Sequence, residues 1–482
     1  MDEQPIVAGR RWVGAAGVRV EVRNPADGSV VGTVFDGGHV AIDDAVQAAR
    51  SAWTSWRSTA SPDRGRILVA LAEAIVAHLH ELAPLLTAEV GKPLREARIE
   101  LDRCAATLRY YGNLADRLDV EDPRPVHEPI AATVVRRPIG VVGAIIPWNF
   151  PTTLLANKLG PALAVGNVVV AKPDLSTPFT TLRIAELASK VGLPSGVLNV
   201  VPGGPTTGSA IVAHPDVRKV SFTGSTQAGR DVLRTAAWDI KRVTAELGGS
   251  DPLIITDDAN IDAAVSAAAM GRFFNCGQAC LAVKRVYVTA GVADRVIEGL
   301  TAKIGRLTVG NGAHDGTRLG PMHSEEGRER LLNQLGDAVD SGGEVTIGGE
   351  PLSGGLFDDG WYMAPTLVVD PKPDSSVATT ETFGPLLPVW TVADLDEAIE
   401  RANDSSFGLG SSVWCGDPDA ALDAARRLEA GYTWVNTPVK VFDELPFGGV
   451  KQSGFGREHG IEALSHYTDE HSIVTPGPGA TP

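Results

Sequence analysis

Apolar residues recur at three- and four-residue steps early in the chain. One run holds Ala41, Ala45, Val46, Ala49, Ala52, Trp53 and Trp56, the next Ile67, Leu68, Leu71, Ile75 and Leu79, and a third spans about 94–118. That spacing predicts three amphipathic helices whose stripes are core. Ahead of them, 7–36 alternates apolar and polar residues around turns at Asn24-Pro25 and Asp36-Gly37-Gly38, which predicts a small antiparallel unit. From Ile139 the period changes. Short β-rich runs at 141–146, 168–171, 198–201 and 220–223 alternate with helical stretches at 152–164, 179–191, 206–213 and 226–236. The connections are too long for hairpins, so the rhythm predicts a parallel sheet covered by helices. In such sheets ligands bind beyond the carboxyl ends of the strands. Those ends are Pro147-Trp148-Asn149, Lys172-Pro173, Pro202-Gly203-Gly204 and Gly224-Ser225, all polar or glycine-bearing. A second βα series runs from Pro252 to about Tyr432. Within it the glycine-rich stretch 342–360 reads as surface loop; beyond it 465–474 reads as a terminal strand and 475–482 as a frayed tail.

Composition narrows the function. A hydrophobic fraction of 43% with 21% charged residues is ordinary for a globular protein, and 482 residues suffice for two or three domains. A net charge of −16 argues against a nucleic-acid or anionic-membrane surface. The apolar region 140–170 is interrupted by Pro147, Asn149, Pro151, Asn157 and Lys158, so it is not a membrane span. The opening MDEQPIVAGR has no apolar core or cleavage signal, so no secretory peptide is expected there. Four unevenly spaced cysteines do not make a disulfide framework, which points to a reducing, cytoplasmic setting. There is no HExxH and no paired CxxC, so no metal is expected.

Among those cysteines, Cys280 sits in a polar turn, Asn275-Cys276-Gly277-Gln278-Ala279, ahead of a strand at 285–288. A thiol on a turn at a strand's mouth can face a cleft while the backbone is held; it can equally be a small buried hydrophobe. Three other features invite chemistry. Gly224-Ser225-Thr226 ends a strand and opens a helix, which suits a phosphate or a plain helix cap. Glu246 ends a strand before Leu247-Gly248-Gly249, facing a cleft or solvent. Asn149, between Trp148 and Phe150 and flanked by prolines, is a rigid turn amide or an oxyanion donor.

Taken together, PWNFP (147–151), AKP (171–173), FTGST (222–226), ELGG (246–249), FFNCGQAC (273–280), TFGP (382–385), and PFGG followed by KQSGFGRE (446–458), resemble the aldehyde dehydrogenase superfamily in order and spacing. The resemblance covers nearly the whole chain, including the 34-residue separation of Glu246 and Cys280. It implies an α/β fold: a dinucleotide-binding parallel-sheet domain (1–119 and 139–247), a catalytic α/β domain (248–462) and a small β oligomerisation arm (120–138 and 463–482). It also implies a homodimer or homotetramer. Cys280 is then the nucleophile, Glu246 the general base and Asn149 the oxyanion amide.

The resemblance further implies that Pro147, Trp148, Lys172, Gly224, Ser225, Leu247, Glu381 and Phe383 meet an NAD or NADP coenzyme. Lys172 would take the adenine ribose, Ser225 the pyrophosphate and Glu381 the nicotinamide ribose. Many NAD-preferring relatives carry a glutamate three residues after the lysine, where this chain has Leu175. Leucine does not repel a 2′-phosphate, so NADP should be tolerated, while Asp174 keeps NAD favoured. Phe150, Thr153, Asn157 and Phe447 should line the aldehyde tunnel, with Ala279, Leu281 and Val441. Asn157 stands where simple aliphatic-aldehyde enzymes are often aromatic, and Lys440 borders the mouth. A polar mouth would suit a semialdehyde with an acid tail; the alternative is that Lys440 points to water. Cys276 reads as structural.

Overall fold

The structure, a computed structural model, describes residues 1–12, 18–115, 122–126 and 130–477. It contains two large sheets, each with its own buried apolar cluster. The first is built on β1 (Val141–Ile145), β2 (Val168–Lys172), β3 (Leu198–Val200), β4 (Val217–Thr223) and β5 (Arg242–Glu246). They lie in the order β5-β4-β1-β2-β3 and are mutually parallel. Every residue of β1 and β2 is buried, as expected of strands covered on both faces. The second sheet is built on β6 (Asp251–Ile255), β7 (Val283–Thr289), β8 (Thr366–Val369), β9 (Leu386–Val392), β10 (Gly410–Trp414) and β11 (Tyr432–Val435), ordered β8-β9-β7-β6-β10-β11 and again parallel. Leu247–Ser250 alone carries the chain from β5 into β6, so the carboxyl edge of one sheet abuts the amino edge of the other.

The predicted strand–helix series is present, with Pro151–Ala164, Phe179–Lys190, Pro205–Ala213 and Thr226–Ala237 as its helices. Four expectations need correction. The second helix does not run on through Leu79: Ser61–Ala77 stops at His78, and Leu79–Val90 leaves at 77° to it. The stripe alone does not show that break. The antiparallel unit over 7–36 is split. Val18–Arg23 pairs with Val30–Asp36, but Ile6–Val7 and Arg10–Arg11 extend the first large sheet beyond β3. The stretch 342–360 is not all loop, because Glu344–Ile347 pairs antiparallel with β8. The C-terminal strand begins at Thr468 and runs to Pro476. It pairs with Ile130–Pro138, which in turn pairs with Asp122–Arg124, in a separate three-stranded sheet. Residues 116–118 of the third helix, 120–121 and 127–129 of the expected arm, and 478–482 of the expected frayed tail lie outside the described residues. Among the described residues no single helix is long and apolar enough to cross a membrane.

The end of the chain returns to the seam. Gly454–Phe455 adds an antiparallel edge to β5, pairing Gly454 with Glu246. Gly454 adopts φ +127°, and a Cβ there would overlap the Ala245 carbonyl oxygen. Both conditions demand glycine. Gly454→Ala is therefore expected to destabilise the protein by roughly 2–3 kcal/mol, read as a lowered denaturation midpoint, with loss of activity because the same edge fixes Glu246.

Candidate active site

The turn that carries Cys280 is built from buried polar contacts. Helix Ile261–Phe273 ends in a short 3-10 segment where Asn275 and Cys276 take left-handed backbone angles, φ 52° and 55°. Such angles are unfavourable for residues other than glycine and persist where surrounding bonds impose them. Here Glu96 accepts the Asn275 N–H at 2.8 Å, and the Asn275 Nδ2 donates to the carbonyls of Asn149 (3.0 Å) and Gln278 (3.2 Å). Gln278 donates back to the Asn275 carbonyl at 3.1 Å. Its Oε1 accepts the His323 N–H at 2.8 Å. Cys276 is buried beside Met322, while Cys280 is partly exposed.

Asn149 faces this turn from the loop between β1 and helix Pro151–Ala164. Its Nδ2 donates to the Gln278 carbonyl at 3.1 Å, leaving one amide proton for the cavity. Lys92 donates to the Asn149 carbonyl at 2.8 Å and pairs with buried Glu100. Glu100 in turn accepts the Thr152 N–H at 2.9 Å, at the start of the helix.

A cavity of about 690 Å³ opens at the seam between the sheets. Its walls include Cys280, Asn149, Pro147, Trp148, Gly224 and Ser225. Leu247, Glu381 and Phe383 also line it, as do Phe150, Thr153, Asn157 and Phe447. Ala279, Leu281, Val441 and Lys440 complete the expected set. Asn157 does not make a polar mouth. It is buried, and its Nδ2 is turned to Glu458 at 3.0 Å. Lys172 stands apart from the cavity, at the end of β2, donating to the Gly203 carbonyl at 2.6 Å. Glu246 lies one layer behind the wall, with both carboxylate oxygens buried and without hydrogen-bond partners among the described residues.

Electrostatics follow from that burial. Loss of solvent pushes the Glu246 carboxyl well above the usual range, and the nearby Glu458 carboxylate adds to the rise against Lys158 and Arg457. Burial also works against ionisation of Glu458. The Lys158 ammonium at 2.6 Å, with His459 and the Asn157 amide, outweighs it and holds Glu458 below the usual carboxylate range. The Cys280 thiol is pushed up to about 12 by burial; Lys284 opposes the rise, while Glu246, Asp251 and Glu381 reinforce it.

Part of the wall was not foreseen. Phe274 stacks parallel to Phe150, with centroids 6.1 Å apart, and Leu154 and Met270 join them. Arg103 also lines the cavity and is tied to Asp443 at 3.2 Å. Trp148 stacks on His323 at 4.2 Å and meets Phe383 edge-on at 5.7 Å. Lys158 and Glu458 lay within the recognised apolar helix and the last motif. A lysine on an otherwise buried helix was the one available signal that it has an internal counter-charge.

A dinucleotide fits the rim. Ser225 is exposed at the N-terminus of the twelve-residue helix Thr226–Ala237, where free N–H groups and the helix dipole favour a phosphate. Next to it, backbone without side chain at Gly248 closes on the Glu381 carboxylate, which is held by the Gly249 N–H at 3.1 Å and Lys284 at 2.7 Å.

Comparison with known proteins agrees with this geometry. The family model described as "Aldehyde dehydrogenase family" matches residues 12–473. The chain belongs to the aldehyde dehydrogenase family. It is 40% identical over 480 residues to a phenylacetaldehyde dehydrogenase of Pseudomonas fluorescens, covering 97% of this chain and 95% of that one. It is 38% identical over 466 residues to an NADP-dependent succinate-semialdehyde dehydrogenase of Escherichia coli, covering 95% of each. Among solved structures it is similar to PnpE from Pseudomonas sp. WBC-3 in complex with nicotinamide adenine dinucleotide, with a TM-score of 0.97, 39% identity, and coverage of 100% of this chain and 99% of that one. The chain is thus an NAD(P)-dependent aldehyde dehydrogenase, which oxidises an aldehyde to the carboxylic acid.

In this aldehyde dehydrogenase the Lys158–Glu458 pair, 2.6 Å apart, is buried close to Glu246. Removing one partner of such a pair strands the other. Lys158→Met is expected to cost roughly 3–5 kcal/mol, measured by chemical denaturation. Among the described residues Glu246 has no ion pair to lose, so Glu246→Gln is expected to leave the midpoint at neutral pH unchanged or raised.

Proposed function

We propose that Cys280, Asn149 and Glu246 carry the reaction and that the physiological aldehyde has an apolar or aromatic tail. The observation that supports the roles is the meeting at one cavity of the only partly exposed thiol among the described residues and an amide with a spare proton, with a carboxyl kept neutral by burial behind the wall. In this reading the Cys280 thiolate attacks the aldehyde carbon to give a tetrahedral thiohemiacetal. The Asn149 amide and the Cys280 N–H receive its oxyanion. A bound nicotinamide coenzyme supplies the hydride acceptor. Collapse leaves a thioester on Cys280, and Glu246, its oxygens free of hydrogen bonds, turns to deprotonate the water that releases the acid.

Pro147, Trp148, Gly224, Ser225, Leu247, Glu381 and Phe383 would hold the coenzyme, with Lys172 and Asp174 toward the adenine end. Asp174 accepts the backbone and hydroxyl protons of Ser176 on one oxygen, so its grip on a ribose is divided. With Leu175 beside it, this supports use of both coenzymes, NAD favoured. The apolar tail is supported by Phe150, Phe274, Leu154, Met270 and Phe447 in the tunnel. A semialdehyde with an acid tail is the second reading, supported by Lys440, which lines the cavity and has no ion-pair partner among the described residues. We also assign the three-stranded sheet to assembly of a homodimer or homotetramer, since Thr468–Pro476 leaves its outer edge unpaired. Four cysteines without a disulfide fit a cytoplasmic enzyme.

Coenzyme reduction followed at 340 nm across aromatic, aliphatic and carboxylated aldehydes tests the reading. Phenyl-bearing aldehydes should give the highest kcat/KM; a carboxylated aldehyde ahead of them would establish the second reading instead. A preference for NAD beyond about a thousandfold would remove dual coenzyme use. Cys280→Ser should abolish turnover, and Asn149→Ala should lower kcat roughly 10²–10³-fold. Because the Glu246 pKa is raised, the base is neutral at low pH and ionises as pH rises through that value. Thioester hydrolysis should therefore accelerate with pH, and Glu246→Gln should lose that dependence and accumulate the acyl-enzyme.

A further inference from the structure

Lys284 is a buried lysine at the start of β7, four residues after Cys280, with a fully buried side chain. Its Nζ donates to the Cys280 carbonyl at 2.6 Å and to the Glu381 Oε1 at 2.7 Å. The same carboxylate oxygen accepts the Gly249 N–H from the link between the sheets. One ammonium therefore bridges the turn that holds the thiol and the carboxylate on the coenzyme side of the cavity. Its third proton faces no described acceptor, and the Phe383 ring lies 5.8 Å away.

We infer that Lys284 is a positioning residue: its ammonium fixes the carbonyl of Cys280 against Glu381 and supplies the positive charge that favours the Cys280 thiolate. The inference rests on Cys280 being the nucleophile. Burial of a lysine is expensive unless its charge is answered, and Lys284 is answered from two sides, by Glu381 and by Asp251 on β6. The charged groups that act on Cys280 come from every element around it. Glu246 at the end of β5, Asp251 on β6 and Glu381 ahead of β9 all disfavour the thiolate, and Lys284 favours it. Lys284 is the charge set against Glu246, Asp251 and Glu381 at the thiol. A lysine suits the position because a compact point charge with three rotatable donors reaches a carbonyl and a carboxylate together.

The test is alkylation of the full-length protein by iodoacetamide across pH, without coenzyme, read by mass spectrometry on the peptide containing Cys280. Cys104, Cys276 and Cys415 are 0%, 2% and 4% exposed and serve as internal controls. Lys284→Met should shift the profile to higher pH and slow alkylation at pH 7.5 about tenfold, the equivalent of one pKa unit. Glu381→Gln keeps the hydrogen bonds but removes a negative charge, so it should shift the profile the other way. Opposed shifts support the inference, since a purely structural role moves neither profile by charge. Two unmoved profiles, or two shifts in the same direction, overturn it. If Lys284→Met loses its cooperative thermal transition, Glu381→Gln decides alone: a profile moved to lower pH supports the inference, and any other result overturns it. The readout follows Cys280 whether or not it is catalytic, so an active Cys280→Ser enzyme would refute the proposed mechanism as a separate result.

Discussion

Burial of charge at a seam between two sheets is the constraint on which the rest of this structure depends. Cys280, Glu246 and Asn149 belong to segments that begin and end different strands. Leu247–Ser250 joins the two sheets over a short distance. Backbone polar groups at such a junction lose water without gaining a sheet partner, and each must be satisfied another way. The protein meets this with charged side chains sent in from elsewhere. Glu89, Glu96 and Glu100 all come from the helical segment Leu79–Val90 to Leu94–Leu114, and each is buried. Glu89 accepts the N–H groups of Phe179 and Thr180, which open one helix; Glu100 accepts that of Thr152, which opens another; Glu96 accepts that of Asn275, in the turn that carries Cys280. Three glutamates thus cap three breaks in the backbone. Burial pushes Glu89 and Glu96 up to about 7, while Lys92 among them bonds Glu100 and the Asn149 carbonyl.

That arrangement explains why the site can be rigid where its backbone is least regular. Asn275 and Cys276 sit at left-handed angles without being glycine, yet the Asn275 N–H, its side-chain Nδ2 and its carbonyl are each engaged. The two apolar clusters lie on either side of the seam and supply the bulk of the buried hydrophobic surface. Polar pairs there fix geometry more than they add stability, since a buried ion pair roughly offsets its own desolvation.

The strand–helix alternation was legible because buried parallel strands are short apolar runs and the helices between them are amphipathic; 168–172 and 179–190 needed no tertiary information. The residues at the strand ends were legible as chemistry only through several motifs together, since Ser225 or Asn149 alone reads equally as a cap or a turn. What escaped were the partners. Glu89, Glu96 and Glu100 look like ordinary surface charges on helices and Lys92 like one on the link between them, and their burial is decided by segments that pack on them from 52 to 179 residues away. Asn157 lines the cavity as expected, but what its polarity answers was hidden: its Nδ2 donates to Glu458, a residue 301 positions later. The hinge at His78 and the strand Glu344–Ile347 were missed for a simpler reason. The first interrupts an unbroken apolar stripe, and the second is four residues set among glycines.

The sites of burial also impose an order on the proposed reaction. In a cavity of low polarity, a Cys280 thiolate and a Glu246 carboxylate repel each other strongly, so the two do not ionise easily together. Glu458 is held ionised by Lys158, and its charge keeps the Glu246 carboxyl protonated to higher pH. A neutral Glu246 spares the thiol one repelling charge and leaves Lys284 to favour its ionisation. Once the sulfur is bonded to carbon in the thioester, its negative charge no longer opposes ionisation of Glu246, and burial and Glu458 alone set the pH at which it ionises. The base is then opposed by one charge fewer at the step that requires it. An acid placed without the Lys158–Glu458 pair beneath it would ionise earlier and oppose the nucleophile, so the buried pair behind the wall serves the attack even though neither member reaches the cavity.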